Sequence, residues 1–549
     1  MKKILISLFA LFLVYSIVPA QIIRSSNKVF FIPSKKKTKV SSNEKGELIV
    51  NVCKKDAELF KANGFVSYKC FGAKGNGKTD DMDVIAATHA YANQQNLKVK
   101  ADEGASYYIG GKNRTAIIQT DTDFGTAEFI IDDTQVEDIK SEVFQVRSEK
   151  TPIRMKEISS IKKNQQKIDL KFPETCIIRL TNSKVKKYIR MGLNQNNGAS
   201  QNDVFIVDKE GNVDMNNPII WDFEEMTEFI ALPIDDSKLT IRGGRFTTIA
   251  NRSDENDYFN RGIDIKRSNV IVDGLEHRIS NEDDMGSPYR GFISITECAY
   301  ITIQNTKLSG HKTYYKIGSA GLTVPMGSYD INVSRSLSVS LLNCTQFNDI
   351  NDTKYWGIFT SNFSKNIVFD NCSLSRFDAH MGVTNAAIRN STLGHQGIHV
   401  IGFGTLTVEN SSINSKNLIN LRDDYGSSFQ GEFIIRNCVF APRTINTNNI
   451  CLISGLNSGN HNFGYTCYMP ERIAIENLKI DDSKVSSMYE NVAIFADFNP
   501  KMKDESYLEK FPYIKTKEVT VENISIFSAK KIIISENAFM FKDVVVNSK

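Results

Sequence analysis

A short repeat built on asparagine constrains the fold of this chain more than any other feature of its sequence. Asn371, Asn390 and Asn410 lie 19 and 20 residues apart, and each follows a run of alternating apolar residues. An apolar residue stands three positions after each of them. Repeats of this length with a strand-like alternation indicate coils that stack on one another. The same register recurs at Gly243, Gly274, Asn305, Asn343, Asn437, Asn477 and Asn523.

The strands of these coils are short, and no helical pattern separates them, so they do not predict βαβ units. We therefore predict an all-β protein with a parallel β-solenoid over residues 231–549, in which each coil buries its apolar face against the next. The recurrent asparagines predict a ladder of side-chain amides that bond from coil to coil inside a turn. Such a ladder is expected because a buried amide needs hydrogen-bond partners.

Residues 1–20 have the features of a secretory signal peptide. Lys2 and Lys3 precede an apolar run from Ile4 to Val18, and a small-residue cleavage site ends at Ala20. The run is short for a membrane span, although an uncleaved anchor is the alternative. We expect an exported protein, periplasmic or secreted, with no membrane span. Residues 21–50 are polar and basic and are expected to form a flexible lead-in.

The composition is that of a large globular protein and narrows the range of partners. The chain has 549 residues, of which 41% are hydrophobic and 24% are charged, and its net charge of +4 permits an acidic ligand. It has no basic helix, basic arm or interleaved aromatic motif, so nucleic acid is not an expected partner. The nine cysteines include no CxxC motif. Cys53 and Cys70 are candidates for a disulfide bridge.

Residues 69–111 predict a cap for the solenoid. The segment reads KCFGAKGNGKTDDMDVIAATHAYANQQNLKVKADEGASYYIGG, and its first three glycines mark a tight loop. Thr79 or Asp80 is expected to cap a helix whose apolar face extends to Ala92. A strand at residues 97–100 and a turn containing glycine follow. We predict a cap and first coil over residues 51–134, and a small β-rich insertion over residues 135–230.

The cap motif resembles that of the pectate-lyase-like right-handed β-helix superfamily. The family pattern is Gly-Ala-x-Gly-Asp-Gly-x-x-Asp-Asp, followed by a helix and a Pro-x-Gly-x-Tyr turn. Here Asn76 replaces the first aspartate of the pattern, and the turn at residues 102–107 lacks the proline. The resemblance implies a right-handed parallel β-helix with a short N-terminal capping helix. It does not imply one chemistry, because the superfamily holds lyases, hydrolases, epimerases and phage tailspikes.

Histidines concentrate on one predicted face of the solenoid. Three of the seven fall within twenty residues. Offsets +3, +8 and +10 from the repeat asparagine are apolar, so offsets +5, +7 and +9 should point outward. With coils about 4.8 Å apart, His380 is expected to stack on His399 and Arg376 on His395. In two successive coils the outward positions hold Arg376, Asp378 and His380, then His395, Gly397 and His399.

More polar residues flank this cluster. They are Asn417, Arg422, Asp423, Asp424 and Tyr425 in the following coil, and Lys312 and Tyr314 two coils upstream. The interpretation as a functional cluster has two alternatives. One is a polar ladder that only connects the coils. The other is a zinc site made by the two stacked histidines and Asp378.

In this superfamily such a groove resembles a polysaccharide-degrading site. β-Elimination from a uronate polymer needs a group that neutralises the carboxylate, a base for the C5 proton and an acid for the leaving O4. We assign His399 or His380 as base, with Lys312 as an alternative, Arg376 or Arg422 as neutraliser, and Tyr314 or Tyr425 as acid. Predicted substrate-binding residues are His395, Asp378, Lys312, Arg422, Asp423, Asp424 and Asn417.

We therefore predict an exported lyase that acts on an acidic polysaccharide. The chain resembles exported glycan lyases of the Bacteroidota, and glycosaminoglycans such as chondroitin or hyaluronan are preferred to pectin. One alternative is a glycoside hydrolase with two carboxyl groups, such as Asp378 with Asp423 or Asp424. The order of motifs known from β-helix polygalacturonases is not followed here, because Gly394–Gly397 precedes the two aspartates and Asn-Thr-Asp is missing. A non-catalytic glycan-binding or structural β-helix is the other alternative.

The predicted reaction requires no cofactor. Calcium is a candidate ligand because Glu282, Asp283 and Asp284 form an acidic loop that offers hard oxygen ligands. A solvated loop is the alternative interpretation of these three residues.

Overall fold

The computed structural model describes residues 16–17, 28–155, 159–251, 257–282, 285–444 and 448–548. Its main body is a sheet of 30 strands paired in parallel from coil to coil, which makes a right-handed parallel β-helix, as predicted. In chain order the strands are Phe65–Ser67, Asn76–Asp80, Lys98–Lys100, Ser106–Ile109, Ala116–Ile118, Thr122–Asp132, Phe144–Arg147, Leu239–Ile249, Ile263–Lys266, Val270–Asp273, Glu276–Ser280, Ile293–Thr296, Ala299–Gln304, Lys307–Leu308, Ile331–Ser334, Leu337–Leu342, Thr345–Gln346, Phe359–Asp370, Ser373–Arg389, Thr392–Val400, Gly402–Glu409, Ser412–Ile413, Ile419–Leu421, Phe429–Phe440, Asn449–Ser454, Arg472–Ile480, Asn491–Phe495, Glu518–Ile526, Ile532–Ile533 and Val545–Ser548.

Each coil contributes to three faces. Sheet 1 contains the strand before the repeat asparagine, sheet 2 the short strand after it, and sheet 3 the next strand. In one coil these are Leu337–Leu342, Thr345–Gln346 and the first residues of Phe359–Asp370. Alternate side chains such as Val339 and Phe359 point inward and are fully buried in one continuous apolar core. The opposite alternation leaves the outer face of sheet 3 polar, and the candidate site lies there.

The repeat asparagines occupy a sharp corner between sheets 1 and 2. All eight adopt the left-handed backbone conformation, with φ between 49° and 54°. Asparagine tolerates this conformation better than most residues, which explains the repeat. The predicted amide ladder is present: Asn371 donates to Asn343 at 2.8 Å, and Asn477 donates to Asn437 at 2.9 Å. The asparagines are exposed rather than buried, so that part of the prediction is wrong.

The cap is more ordered than the sequence suggested. The helices are Lys54–Asn63, Tyr68–Phe71 and Met82–Gln95, and the last of these is the predicted capping helix. Asp81 is the N-cap residue by position, but the helix amide of Met82 donates to the carboxylate of Asp80 at 3.0 Å, so Asp80 has the predicted capping role. The Asp81 carboxylate accepts hydrogen bonds from the backbone of Lys74 and Gly75. Cys53 and Cys70 are free thiols, so the structure has no bridge between them.

The prediction of a flexible lead-in is wrong from residue 29 onward. The strands Val29–Ser34, Lys39–Ser42 and Leu48–Cys53 form a small sheet beside the cap. Leu48 and Val50 are fully buried, and the ring of Phe31 lies 5.6 Å from that of Tyr91. The alternation in this segment is thus a strand signal, which the excess of basic residues obscured. The predicted signal peptide lies outside the described residues except for the short strand Ser16–Ile17, and it stays a prediction.

The β-rich insertion leaves the solenoid after Arg147 and returns at Leu239, because Phe144–Arg147 pairs within the solenoid. It runs along the corner between sheets 3 and 1, where Arg179 contacts Glu297 and Asn366 contacts Asn217. A fully buried ion pair, Lys365 with Asp203 at 2.8 Å, joins it to the solenoid. Its sheet contains Ser16–Ile17, Ile153–Arg154, Cys176–Lys187, Ala199–Val207 and Glu228–Pro233.

Loops that leave the solenoid form the walls around the outer face of sheet 3. The loops contain three short strand pairs and two turns of 3₁₀ helix. The pairs are His311–Lys312 with Tyr355–Gly357, Tyr314–Ile317 with Thr323–Met326, and Cys467–Tyr468 with Tyr513–Ile514; the 3₁₀ turns are Asp423–Tyr425 and Ser486–Met488. In the part of the chain that is described, no helix has the length and apolar character needed to cross a membrane.

Candidate active site

The register of the two histidine-bearing coils differs from the predicted one. Asp378 lies opposite His399, and Arg376 lies opposite Gly397, so the predicted stacking of His380 on His399 and of Arg376 on His395 is wrong. The coils are aligned at Leu374 and Leu393, but the second coil has two extra residues before Gly397. This bulge places His395 outside the ladder. The sequence contains a trace of the bulge, because the apolar residue that follows Leu374 is Phe377 at offset +6, whereas the one that follows Leu393 is Ile398 at offset +8.

The predicted alternation is correct, although the outward residues are not open to solvent. Phe377 and Ala379 point into the core, while Arg376 and Asp378 point outward and are only 2% and 0% exposed. Tyr329 covers them by donating a hydrogen bond to Asp378 at 3.1 Å, and the ring of Trp356 lies 4.7 Å from the Arg376 guanidinium. Neither aromatic residue was expected from the sequence, since both lie in loops outside the repeat.

A chain of alternating charges crosses this part of sheet 3. Asp378 binds Arg376 and Arg422, each at 2.8 Å, and Asp424 binds Arg422 at 2.9 Å and Arg190 at 3.0 Å. Burial opposes the ionisation of Asp378, but the two guanidinium groups hold its pKa well below the ordinary range. The pKa of Asp424 is lowered in the same way, against its burial, by Arg422 and Arg190. Three cations and two anions leave a net charge of +1.

His380 and Tyr425 form a pair beneath the insertion. His380 Nδ1 lies 3.1 Å from the Asn362 side-chain oxygen and must donate to it, so His380 Nε2 accepts from the Tyr425 hydroxyl at 3.3 Å. Burial lowers the pKa of His380 to about 3 and raises the pKa of Tyr425 to about 12. Tyr188 of the insertion packs against Tyr425, which is 2% exposed.

His399 reaches an open cleft, but the ring nitrogen that could act as a base already accepts a hydrogen bond. The Asn420 amide donates to Nδ1 at 3.0 Å, which places the ring proton on Nε2. Burial, assisted by the positive charge of Arg376, lowers the pKa of His399 to about 3. The ring is therefore neutral at neutral pH.

Of the three clustered histidines, His395 has a ring nitrogen that is available to act as a base. Its Nε2 donates to the backbone oxygen of Tyr355 at 2.8 Å, which leaves Nδ1 unprotonated. Among the described residues, Nδ1 has no hydrogen-bond partner. Partial burial lowers the pKa of His395, so the neutral imidazole dominates at neutral pH. The sequence predicted a substrate-binding role for this residue, but its geometry is that of a base.

Both His395 and His399 line a cleft of about 390 Å³. Asp423 is exposed there, and among the described residues it has no cationic partner, unlike Asp378 and Asp424. The remaining polar lining includes one ammonium group, that of Lys416, and three side-chain amides. The lining consists of His395, Gln396, Ile398, His399, Ser415, Lys416, Asn417, Asn420, Asp423, Ser454, Gly455 and Leu456.

Lys312 and Tyr314 lie in a loop outside this cleft. The Lys312 ammonium group donates to the backbone oxygen of Glu282 at 3.1 Å. Tyr314 is 5% exposed, its ring lies 6.1 Å from that of Tyr258, and burial raises its pKa to about 12. Cleft residues that were not predicted include Gln396, Lys416 and Asn420. Gln396 belongs to the bulge in the strand Thr392–Val400, Lys416 lies in the bend before Ile419–Leu421, and Asn420 lies at the +10 offset expected to point inward.

The described residues contain no group of three or more histidine, cysteine or acidic side chains placed to hold a metal ion. The zinc alternative required stacked histidines, and that stacking is not found. Asp283 and Asp284 of the candidate calcium loop lie outside the described residues, so calcium binding stays a prediction. The Glu282 carboxylate accepts a hydrogen bond from the backbone of Ser287 at 3.3 Å.

Comparisons with known proteins find no matching family and only distant structural likenesses. No protein-family model matches this chain, and no curated protein sequence matches it. Similar solved structures include the tailspike of Pseudomonas phage phi297, with TM-score 0.47, 12% identity and coverage of 84% of this chain and 80% of that chain. The tailspike of Acinetobacter baumannii phage AP22, solved with a capsular saccharide, has TM-score 0.47, 10% identity and coverage of 92% and 81%.

An exopolygalacturonase from Thermotoga maritima has TM-score 0.33, 11% identity and coverage of 88% of this chain and 91% of that chain. All three TM-scores are below 0.5, so these likenesses assign no function. The class of protein, a right-handed parallel β-helix, follows from the strand pairing itself.

Proposed function

We propose that this protein is an exported polysaccharide lyase that cleaves an acidic polysaccharide by β-elimination in the cleft lined by His395. One observation carries the proposal: His395 presents an unprotonated Nδ1 in a cleft lined by amide and ammonium groups. The hydrogen bond to Tyr355 fixes the ring in this tautomer. A neutral imidazole with a free nitrogen is suited to remove the proton at C5 of a uronate.

In the proposed reaction the uronate carboxylate lies against Lys416 and the amides of Asn417 and Asn420, all of which line the cleft. These groups stabilise the negative charge that develops as the C5–H bond breaks. His395 takes that proton, the C4–C5 double bond forms, and the C4–O4 bond breaks. The imidazolium formed at His395 then carries the proton that the leaving O4 requires.

The ion pairs that Asp378 and Asp424 form with three arginines lie next to this cleft and are proposed to position its residues. Arg376 lies between Asp378 and Gln396, whose side-chain oxygen is 3.5 Å from the Arg376 guanidinium. The net charge of +1 on these ion-paired side chains favours an anionic substrate at the neighbouring cleft. Arg376 and Arg422 are thus proposed to organise the cleft, rather than to contact the carboxylate as their sequence positions suggested.

A glycoside hydrolase is less well supported because it needs two working carboxyl groups across the scissile bond. Asp378 and Asp424 are each held between two guanidinium groups, and their lowered pKa values keep them ionised. Of these three aspartates, only Asp423 lines the cleft and has no such partner. A single available carboxylate does not provide both an acid and a base.

The proposal is tested by absorbance at about 232 nm, where the C4–C5 double bond formed by elimination absorbs. Hyaluronan, chondroitin, polygalacturonate and alginate are incubated with wild-type protein and with His395→Ala. We expect a rise with at least one polymer, slowed about 10²- to 10⁴-fold in His395→Ala. Lys416→Ala should also slow the rise, because it removes a group that stabilises the developing charge, and Lys479→Ala, at an exposed position on sheet 2, is its control.

Two outcomes contradict the proposal. New reducing ends without a rise at about 232 nm would indicate hydrolysis, with Asp423→Asn as the next variant. If no polymer gives either signal, a glycan-binding or structural β-helix is favoured.

A further inference from the structure

A second cavity, of about 270 Å³, lies beside the proposed cleft. The two cavities meet at one stretch of chain, since Leu456 lines the first and Asn457 lines the second. Asn457 donates to the backbone of Gly426 at 3.1 Å, and Gly426 ends the turn that carries Asp423. The second cavity is lined by Asn457, His461, Asn462, Gly464, Tyr465, Thr466, Cys467, Phe511 and Pro512.

The chemistry of the two cavities differs. The first contains the charged residues Lys416 and Asp423, whereas the described lining of the second includes no lysine, arginine, aspartate or glutamate. The second offers aromatic surface from Tyr465 and Phe511 beside the amide of Asn462. Within the described structure, the buried Nε2 of His461 has no hydrogen-bond partner. A buried polar atom of this kind is expected to bind a water molecule or a ligand.

Hydrogen bonds fix the residues that separate the two cavities. The Tyr465 hydroxyl donates to the backbone oxygen of Tyr425 at 2.8 Å, and the Tyr513 hydroxyl donates to that of Ser427 at 2.9 Å. Gly464 approaches the insertion so closely that an added Cβ would lie 2.3 Å from the Lys186 oxygen. A rigid wall of this kind fixes the spacing between two ligand groups, one in each cavity.

We propose that the second cavity binds an uncharged sugar residue of the same polymer, of the 2-acetamido class. Rings of Tyr465 and Phe511 match the apolar face and methyl group of such a sugar, and Asn462 and His461 match its amide and hydroxyl groups. This inference rests on the proposed function, because the uronate occupies the first cavity. Together the two cavities select a polymer in which acidic and uncharged sugars are adjacent, rather than a homopolymer of uronate.

A test that does not depend on catalysis uses saturation-transfer NMR. The probes are the methyl glycosides of N-acetylglucosamine and N-acetylgalactosamine, compared with methyl glucuronide. We expect acetamido-methyl signals with wild-type protein and their loss in Phe511→Ala. Phe527→Ala is the matched control, since Phe527 is 68% exposed and lies outside both cavities. Signals that are missing with wild-type protein, or equal in all three proteins, would overturn the inference.

His461→Leu provides a second variant in case Phe511→Ala unfolds. It removes the unpartnered nitrogen with little change in volume, so stability should be kept. Loss of the acetamido signal in a folded His461→Leu protein supports the subsite, and an unchanged signal argues against it.

Calorimetry then tests the link between the cavities. Hyaluronan oligosaccharides alternate an acidic and an acetamido sugar, and oligogalacturonides of equal length contain uronate alone. We expect about tenfold tighter binding of the alternating oligosaccharide, and loss of that preference in Phe511→Ala. Equal affinities would overturn the inference even if lyase activity is found. If neither binds and none of the four polymers gives a rise at about 232 nm, the proposed function fails, while the NMR result still decides whether the second cavity binds a sugar.

Discussion

At the scale of single residues, the pH dependence of activity should report the ionisation of His395. The base must be neutral to accept a proton, and burial lowers its pKa below the ordinary 6.5. We expect kcat/KM to be constant through neutral pH and to fall only in a range below pH 6.5. The measurement is kcat/KM on the best substrate from about pH 4 to about pH 8. An acid limb centred above the ordinary histidine value would exclude His395 as the base.

A second prediction at this scale concerns Asp378. The substitution Asp378→Asn leaves Arg376 and Arg422 buried without their shared anion, and we expect it to cost about 3–5 kcal/mol of unfolding free energy. Urea denaturation measures this cost. The control is Asp423→Asn, because Asp423 is exposed and should change stability by less than about 0.5 kcal/mol. Equal midpoints for the two variants would contradict a stabilising role for the charge chain.

The same carboxylate gives a signed dependence of stability on pH. The folded pKa of Asp378 is depressed, so its contribution is present above the unfolded value of about 3.9. It is lost as pH falls from there toward the folded pKa. Asp378→Asn should therefore have a flatter acid limb of stability than the wild-type protein, as measured by thermal melts across acidic pH.

At the scale of elements, the sequence predicted what is periodic and missed what is not. The asparagine repeat identified the coils, their inward residues and the inter-coil ladder, because one backbone conformation recurs at every corner. It did not predict the bulge before Gly397, because equal offsets from the two asparagines were compared although the bulge moves the matching apolar residue from +6, at Phe377, to +8, at Ile398. As a result His380 was aligned with His399, and His395 was assigned to the ladder.

Contacts between distant elements were beyond sequence reasoning for a different reason. Arg190 of the insertion reaches Asp424, and Tyr188 covers Tyr425, but no local pattern marks either residue. The insertion packs along the solenoid, but its contribution to the site depends on contacts that residue spacing cannot describe.

The attachment of the insertion gives a prediction at this scale. Lys365 and Asp203 are each 1% exposed and 2.8 Å apart, so Lys365→Met leaves a buried carboxylate without its cation. We expect a cost of about 3–5 kcal/mol, and a smaller cost when Asp203→Asn is added. A double-mutant cycle in urea measures the coupling. Lys184→Met removes an exposed pair with Glu225 and should leave stability nearly unchanged.

At the scale of the whole molecule, the coils form a stack in which each coil contacts mainly its neighbours. Such a stack has a stability that is close to a sum of local terms. The corners illustrate this, because the same left-handed conformation recurs with glycine at Gly243 and Gly274 and with asparagine at later corners. Changing one corner should therefore have a cost that does not depend on a change at a distant corner.

Asn343 and Asn477 test this independence, with φ values of 54° and 53° and four intervening asparagine corners. Asn343→Ala and Asn477→Ala should each cost about 1–2 kcal/mol, because alanine is strained in this conformation and lacks the amide bond. Glycine at either position removes the strain and should cost less. The double alanine variant should cost the sum of the single variants to within about 0.5 kcal/mol in urea unfolding. A larger departure would show that the insertion or the cap couples the two ends of the stack.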